Sequence, residues 1–146
     1  MFHYTSCGLQ NIWLVNGYQE RETSHGKAVA ISDLDGLHQA IAHHLIRYKP
    51  ALSGGEFRFL RKELDLSQGR IANYFGVTEQ SVSLWERRGR VPKWADRIIR
   101  ALNREVIDGN VQLRKMMERL SSMDQIEHQM TIELEDTADG WRAKVA

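Results

Sequence analysis

The sequence predicts a mainly α protein with small β parts: an N-terminal α+β segment, a central bundle of short helices with a tight turn between two of them, and a C-terminal helix followed by a β-hairpin. Three observations carry this. Between Ser53 and Pro92 helix-capping hydroxyls (Ser53, Ser67, Thr78) alternate with stop glycines (Gly76, Gly89) at the spacing of short helices. The apolar residues between those signals recur three and four apart, the period of a buried helix face. Toward both ends of the chain that period gives way to alternation of apolar and polar residues, the period of strands.

Taken in order, Asn11 to Tyr18 and Lys27 to Ile31 alternate and read as short strands, broken by Gly17 and Gly26, so a small sheet is expected. Asp33 can cap a helix running to about Tyr48, with Leu37, Ile41, Ala42 and Leu45 on its apolar side and Lys49-Pro50 as its end. Pro50 to Gly55 is a short linker closing on Ser53-Gly54-Gly55-Glu56, a capping box. The helix it starts runs to about Leu64 and should bury Phe57, Leu60 and Leu64. Ser67 caps the next, which should bury Ile71, Ala72 and Phe75 and stop at Gly76. After the loop Gly76-Val77, Thr78 caps a third helix, about Glu79 to Arg88, ended by Gly89. Pro92 then opens a fourth, whose buried face should hold Trp94, Ile98 and Leu102. Beyond about Glu105 a helix is expected to carry Val111, Leu113, Met116, Met117 and Leu120, as core or dimer surface. The tail, Met130 to Glu135 and Trp141 to Val145 around Ala138-Asp139-Gly140, has the signature of a hairpin with Asp-Gly at its turn.

These elements divide the chain into a small α+β domain (residues 1–50), a helix-turn-helix domain (51–108) and a helix plus hairpin (109–146) expected to serve dimerisation. A chain of 146 residues can bury a core without covalent staples. Its single cysteine, Cys7, allows no internal disulfide and no four-cysteine zinc site, which fits a reducing cytoplasm. The N-terminus has no basic patch leading into an apolar run, and no stretch approaches the ~20 apolar residues of a membrane span, so no membrane partner and no export are expected. Charge is uneven. Eleven basic and six acidic residues lie between Glu56 and Arg104, leaving that segment at +5; with +1 for the whole chain, the remainder carries −4. Such a segment favours a polyanion partner.

Two short helices joined by a tight glycine turn suit duplex DNA, because the first braces on the backbone while the second enters the major groove. On the third helix Val82 and Trp85 would face the core, whereas Gln80, Ser83, Leu84 and Arg87 fall at i, i+3, i+4 and i+7 on the opposite side. Glutamine bonds bidentately to adenine, arginine to guanine, leucine covers a thymine methyl, and Glu79 could accept from a cytosine amino group. Gln68, at a helix start, meets a phosphate in this scheme, as do Thr78, Ser81, Arg88 and Arg90. Arg97, Arg100 and Arg104 suit a solvated helix face as well as a phosphate contact.

The stretch Phe57 to Gln68, continuing through Ala72, Phe75-Gly76-Val77-Thr78 and Val82-Ser83-Leu84-Trp85-Glu86-Arg87, closely resembles the phage-repressor (Xre) helix-turn-helix family over about a third of the chain. The resemblance implies a bundle of about five helices, usually dimeric, binding operator DNA, with contacts at the positions matching Gln68, Thr78, Glu79, Gln80, Ser81 and Arg87. A weaker resemblance, carried by a small N-terminal sheet domain joined to the helix-turn-helix, is to the MqsA family of antitoxins, in which Gln80 matches a base-reading position and the N-terminal domain binds zinc and a toxin. The paired CxxC motifs of that family are absent here, so its zinc site does not carry over, and a toxin contact is supported by domain order alone.

Metal chemistry and catalysis find little footing. His43 and His44 are adjacent and point apart on a helix, His38 to His43 misses the i+4 spacing, His25 and Cys7 lie elsewhere, and no HExxH occurs. Gly26-Lys27 lacks the upstream glycine and the following Ser or Thr of a phosphate-binding loop. The expectation is therefore a cytoplasmic, sequence-specific transcriptional regulator, no enzyme, without cofactor or metal. It would bind a palindromic operator as a homodimer with two recognition helices about one DNA turn, ~34 Å, apart. The alternative is an antitoxin whose N-terminal domain masks a toxin protein.

Overall fold

The computed structural model describes residues 1–123 and 132–144. In chain order the elements are β1 (Phe2–His3), β2 (Trp13–Leu14), β3 (Tyr18–Thr23), β4 (Gly26–Ile31), α1 (Leu34–Tyr48), α2 (Gly54–Glu63), α3 (Gln68–Phe75), α4 (Glu79–Arg88), α5 (Lys93–Ile107), α6 (Gln112–Met123), β5 (Leu134–Thr137) and β6 (Gly140–Ala143). The protein is mainly helical, with antiparallel strand pairs β1–β2 and β3–β4 near the N-terminus and β5–β6 near the C-terminus.

The strands differ from the sequence expectation. Of Asn11 to Tyr18 only Trp13–Leu14 and Tyr18 lie in strands; β2 pairs with β1, Phe2 opposite Leu14, while β3 pairs with β4 from Tyr18 opposite Ile31 to Thr23 opposite Gly26. The expected single sheet is two separate pairs. Tyr18–Thr23 (YQERET) escapes an alternation test because every residue after Tyr18 is exposed, leaving no buried face to mark the period. At the other end the two-residue turn is Ala138-Asp139, and Gly140 (φ 105°) is the first residue of β6, one position from the Asp-Gly turn expected. Met130, Thr131 and Val145, assigned to that hairpin from sequence, lie outside the described residues.

The helices start and stop where their caps dictate. Asp33, in the left-handed region, accepts from Gly36 N–H at 3.1 Å and starts α1. Ser53 accepts from Glu56 N–H (3.2 Å) while the Glu56 carboxylate accepts from Ser53 N–H (2.8 Å), the reciprocal capping box. Ser67 and Thr78 accept from Arg70 N–H and Ser81 N–H, and Gly76 (φ 69°) and Gly89 (φ 73°) end α3 and α4.

One buried cluster contains Tyr4, Leu9 and Leu14 from the N-terminal segment, Ile41, Ala42 and Leu45 of α1, Phe57 and Leu60 of α2, Ile71 of α3, Val82 of α4, Ile99 and Leu102 of α5 and Met117 of α6. The N-terminal strands and the helical bundle therefore share a core. The face of α5 is rotated from expectation: Ala95, Asp96, Ile99, Leu102 and Asn103 are buried, Ile98 is half-buried and Trp94 is 43% exposed. The reason is polar. Asp96 accepts from Leu52 N–H (2.7 Å) and pairs with Arg100 (2.6 Å), whose guanidinium donates to the carbonyls of Leu45, Ile46 and Lys49 and so satisfies the free C-terminal end of α1. Trp94 instead lies edge-on to Phe75 and Trp85 at the surface. Arg104 pairs with Asp108, and Arg97 is exposed.

α6 docks through Met117 and the half-buried Leu113; Glu105 accepts from Leu113 N–H (2.8 Å), Arg114 donates to Leu64 O (3.2 Å) and Tyr74 donates to Glu118 (2.7 Å). Val111, Met116 and Leu120 remain exposed. No helix among the described residues is long and apolar enough to cross a membrane.

Candidate nucleic-acid interface

The site is built on α4, and the chemistry of its two faces explains how it is held. Its inner face is locked. Val82 is 0% exposed, and Trp85 meets Phe57 edge-on at 5.8 Å between centroids. Glu86 receives the Arg61 guanidinium in two hydrogen bonds, Nε to Oε2 (2.8 Å) and Nη2 to Oε1 (2.9 Å), and Arg61 also donates to Leu66 O at 2.9 Å. This is a bidentate, buried ion pair joining α2 to α4. Glu86 Oε1 further accepts from Gln68 Nε2 at 3.1 Å, so one carboxylate orients the first residue of α3 as well.

Backbones meet directly at a second point. A Cβ on Gly54 would collide with the carbonyls of Trp85 and Glu86, so α2 begins hard against the last turns of α4 and only glycine fits there. Ion pair and glycine together set the angle at which α4 projects.

The outer face is free. Gln80, Arg87, Arg88 and Arg90 are exposed, Leu84 is 36% exposed and Ser83 half-buried, which places the expected stripe Gln80, Ser83, Leu84 and Arg87 along one side. Among the described residues none of these side chains takes part in an ion pair or a side-chain hydrogen bond, so their donors and acceptors point at solvent. Two expected site residues are partly committed to structure. Thr78 Oγ1 caps α4 and lies 2.9 Å from Ser81 Oγ, so this pair begins the helix and presents its hydroxyls together. Gln68 is half-buried with its amide nitrogen given to Glu86, leaving the carbonyl oxygen and second N–H for a ligand. Glu79 lies over the first turn of α3: its Oε2 would stand 3.3 Å from a Cβ on Gly69. Free amide groups there favour a negative charge, which accounts for an acidic residue beside so many arginines.

Arg61, Glu86 and Gly54 also hold the site and are not among the residues expected from sequence. A signal existed for the ion pair. Arg61 follows Phe57 by four and Glu86 follows Val82 by four, so two opposite charges occupy core-facing positions of neighbouring helices. The close approach at Gly54 left no such trace.

His38 serves structure. Glu63 accepts from His38 Nδ1 (2.8 Å), which leaves Nε2 to accept from the Tyr4 hydroxyl (2.7 Å), a chain linking the N-terminal segment, α1 and α2. Burial pushes the Tyr4 pKa above its ordinary value, and Cys7 and Glu63 act in the same direction. Among the described residues no three His, Cys, Asp or Glu side chains come together as metal ligands would.

The chain matches no protein-family model, no curated protein and no solved structure with which it was compared.

Proposed function

We propose that this protein is a sequence-specific DNA-binding transcriptional regulator that seats α4 in the major groove of a palindromic operator as a homodimer and represses transcription by occupying it. The observation that carries this is the division of α4: an inner face fixed by Val82, Trp85 and the Arg61–Glu86 pair, and an outer face on which Gln80, Leu84, Arg87 and Arg88 are presented unbonded. A rigid helix with an unsatisfied, cation-rich outer stripe meets the requirement for base readout, since the reading groups are positioned before the duplex arrives. Arg90, just past the Gly89 stop, extends the positive edge toward the phosphates.

The dimer has support at the other end of the chain. On β5–β6 the register puts Leu134 opposite Ala143 and Asp136 opposite Trp141, so Leu134, Trp141 and Ala143 share one exposed face, apolar but for Asp136 at Trp141. A two-stranded hairpin is marginal in water unless its apolar face is covered, and a second copy would cover it.

The test is a titration of the purified protein against the DNA upstream of its own gene and against a scrambled duplex, at two salt concentrations. Preference for the upstream duplex, with affinity falling steeply as salt rises, is expected. Equal binding to both at both salts would overturn sequence-specific regulation of that promoter.

A further inference from the structure

Beside α4 lies a groove of about 720 Å³ that the recognition stripe does not account for. One wall is α2, which contributes Arg58 and Lys62; another is the flank of α4, with Ser83 and Arg87; the third is the N-terminal loop, with Thr5 and Ser6. Arg58 and Lys62 are four apart and project from the same side of α2. Arg61 also borders the groove, but its charge is answered by Glu86. Among the described residues Arg58, Lys62 and Arg87 enter no ion pair, so the concavity carries three uncompensated positive charges.

The loop is held before any ligand arrives. Tyr4 and Leu9 on either side of it are both buried, each 4% exposed. Gly8 N–H donates to Thr5 O (2.9 Å) with Gly8 at φ 89°, Tyr4 N–H donates to Ile12 O (2.9 Å), and the Tyr4 hydroxyl is tied to His38. The hydroxyls of Thr5 and Ser6 therefore sit at the groove without the ordering cost of a mobile arm.

We infer that this groove, formed by Arg58, Lys62 and Arg87 with the Thr5–Gly8 loop, is a second DNA contact surface that takes the phosphodiester backbone of the strand flanking the major groove. The inference rests on the DNA-binding reading above and extends it to the N-terminal segment. Hydroxyls, an ammonium and guanidinium groups, with no carboxylate lining the same concavity but that of Glu86, which is buried and paired with Arg61, form a donor set for phosphate oxygens. Because Ser83 and Arg87 belong both to the stripe and to this groove, a duplex seated on α4 brings a backbone to it. The contact is blind to sequence, so it strengthens binding to every duplex alike while Gln80 discriminates among them.

Two readouts test this. The first is the dependence of binding on salt for the wild type and for Arg58→Ala combined with Lys62→Ala, both exposed positions, with circular dichroism of the variant expected to match that of the wild type. Losing two phosphate contacts is expected to lower the slope of log K against log salt by about 1.8. Affinity should fall by the same factor on a preferred and on a scrambled duplex. The second uses Cys7, the only cysteine, half-buried in the groove, whose alkylation reports occupancy without an added label. Saturating duplex should slow alkylation of wild-type protein severalfold, and should do so equally in Gln80→Ala. Duplex binding with an unchanged salt slope and an unprotected Cys7 would overturn the groove while leaving readout by α4 standing. Absence of binding to any duplex would overturn both.

Discussion

The helical bundle and the C-terminal hairpin are both announced by strong local signals, yet only the bundle turns those signals into a core. In α2 to α4 local caps lead into tertiary contact: the Ser53 box starts α2 against the carbonyls of α4, and the helix so placed delivers Arg61 to Glu86. In β5–β6 the turn is equally well made, with Thr137 Oγ1 donating to Gly140 O (2.7 Å) and accepting from Asp139 N–H (3.3 Å), but Leu134 and Trp141 face solvent at 60% and 72% exposure. Local chemistry specifies an element; burial decides whether the element carries stability or is left for a partner.

Substitutions in the two regions should therefore differ in kind. Glu86→Ala strands the Arg61 guanidinium in the interior and should lower unfolding free energy by about 3 to 5 kcal/mol, read from urea denaturation, with the loss of Gln68's anchor as a side effect. Gly54→Ala forces α2 away from α4 and is expected to cost about 1 to 3 kcal/mol; operator affinity should fall with it in protein that remains folded, because the angle of α4 changes. Ser53→Ala removes one half of the capping box for about 1 kcal/mol, measurable as a lower thermal midpoint. By contrast, Leu134→Ser with Trp141→Ser should change monomer stability by less than about 0.5 kcal/mol but shift the protein from dimer to monomer in sedimentation. A large loss of monomer stability from that last pair would break the comparison, since it would show the hairpin to be part of the core.

The same contrast explains what was legible beforehand. Ser53, Ser67, Thr78, Gly76 and Gly89 act on their own backbone neighbours, so sequence alone places α2, α3 and α4 closely. The outer stripe of α4 follows from its period because Val82 faces inward. Tyr18–Thr23 was hidden because a strand exposed on both faces has no hydrophobic period, although its turn, Thr23-Ser24-His25-Gly26, uses the same threonine bridge as Thr137-Ala138-Asp139-Gly140. Trp94 is exposed although it was expected on one buried face with Ile98 and Leu102, because the Asp96–Arg100 pair, tied to α1 and Leu52, decides which side of α5 turns inward. The groove could not be foreseen, because it joins Thr5 and Ser6 to Arg58 and Arg87 across fifty and more positions.

Base reading by the outer face of α4 is tested by selection of bound duplexes from a random-sequence pool, followed by titration of wild type and Gln80→Ala against the selected and a scrambled duplex. A consensus is expected to emerge, and Gln80→Ala should lose about 1 to 3 kcal/mol on the selected duplex with little change on the scrambled one. No consensus, or an equal loss on both duplexes, would contradict base reading by α4.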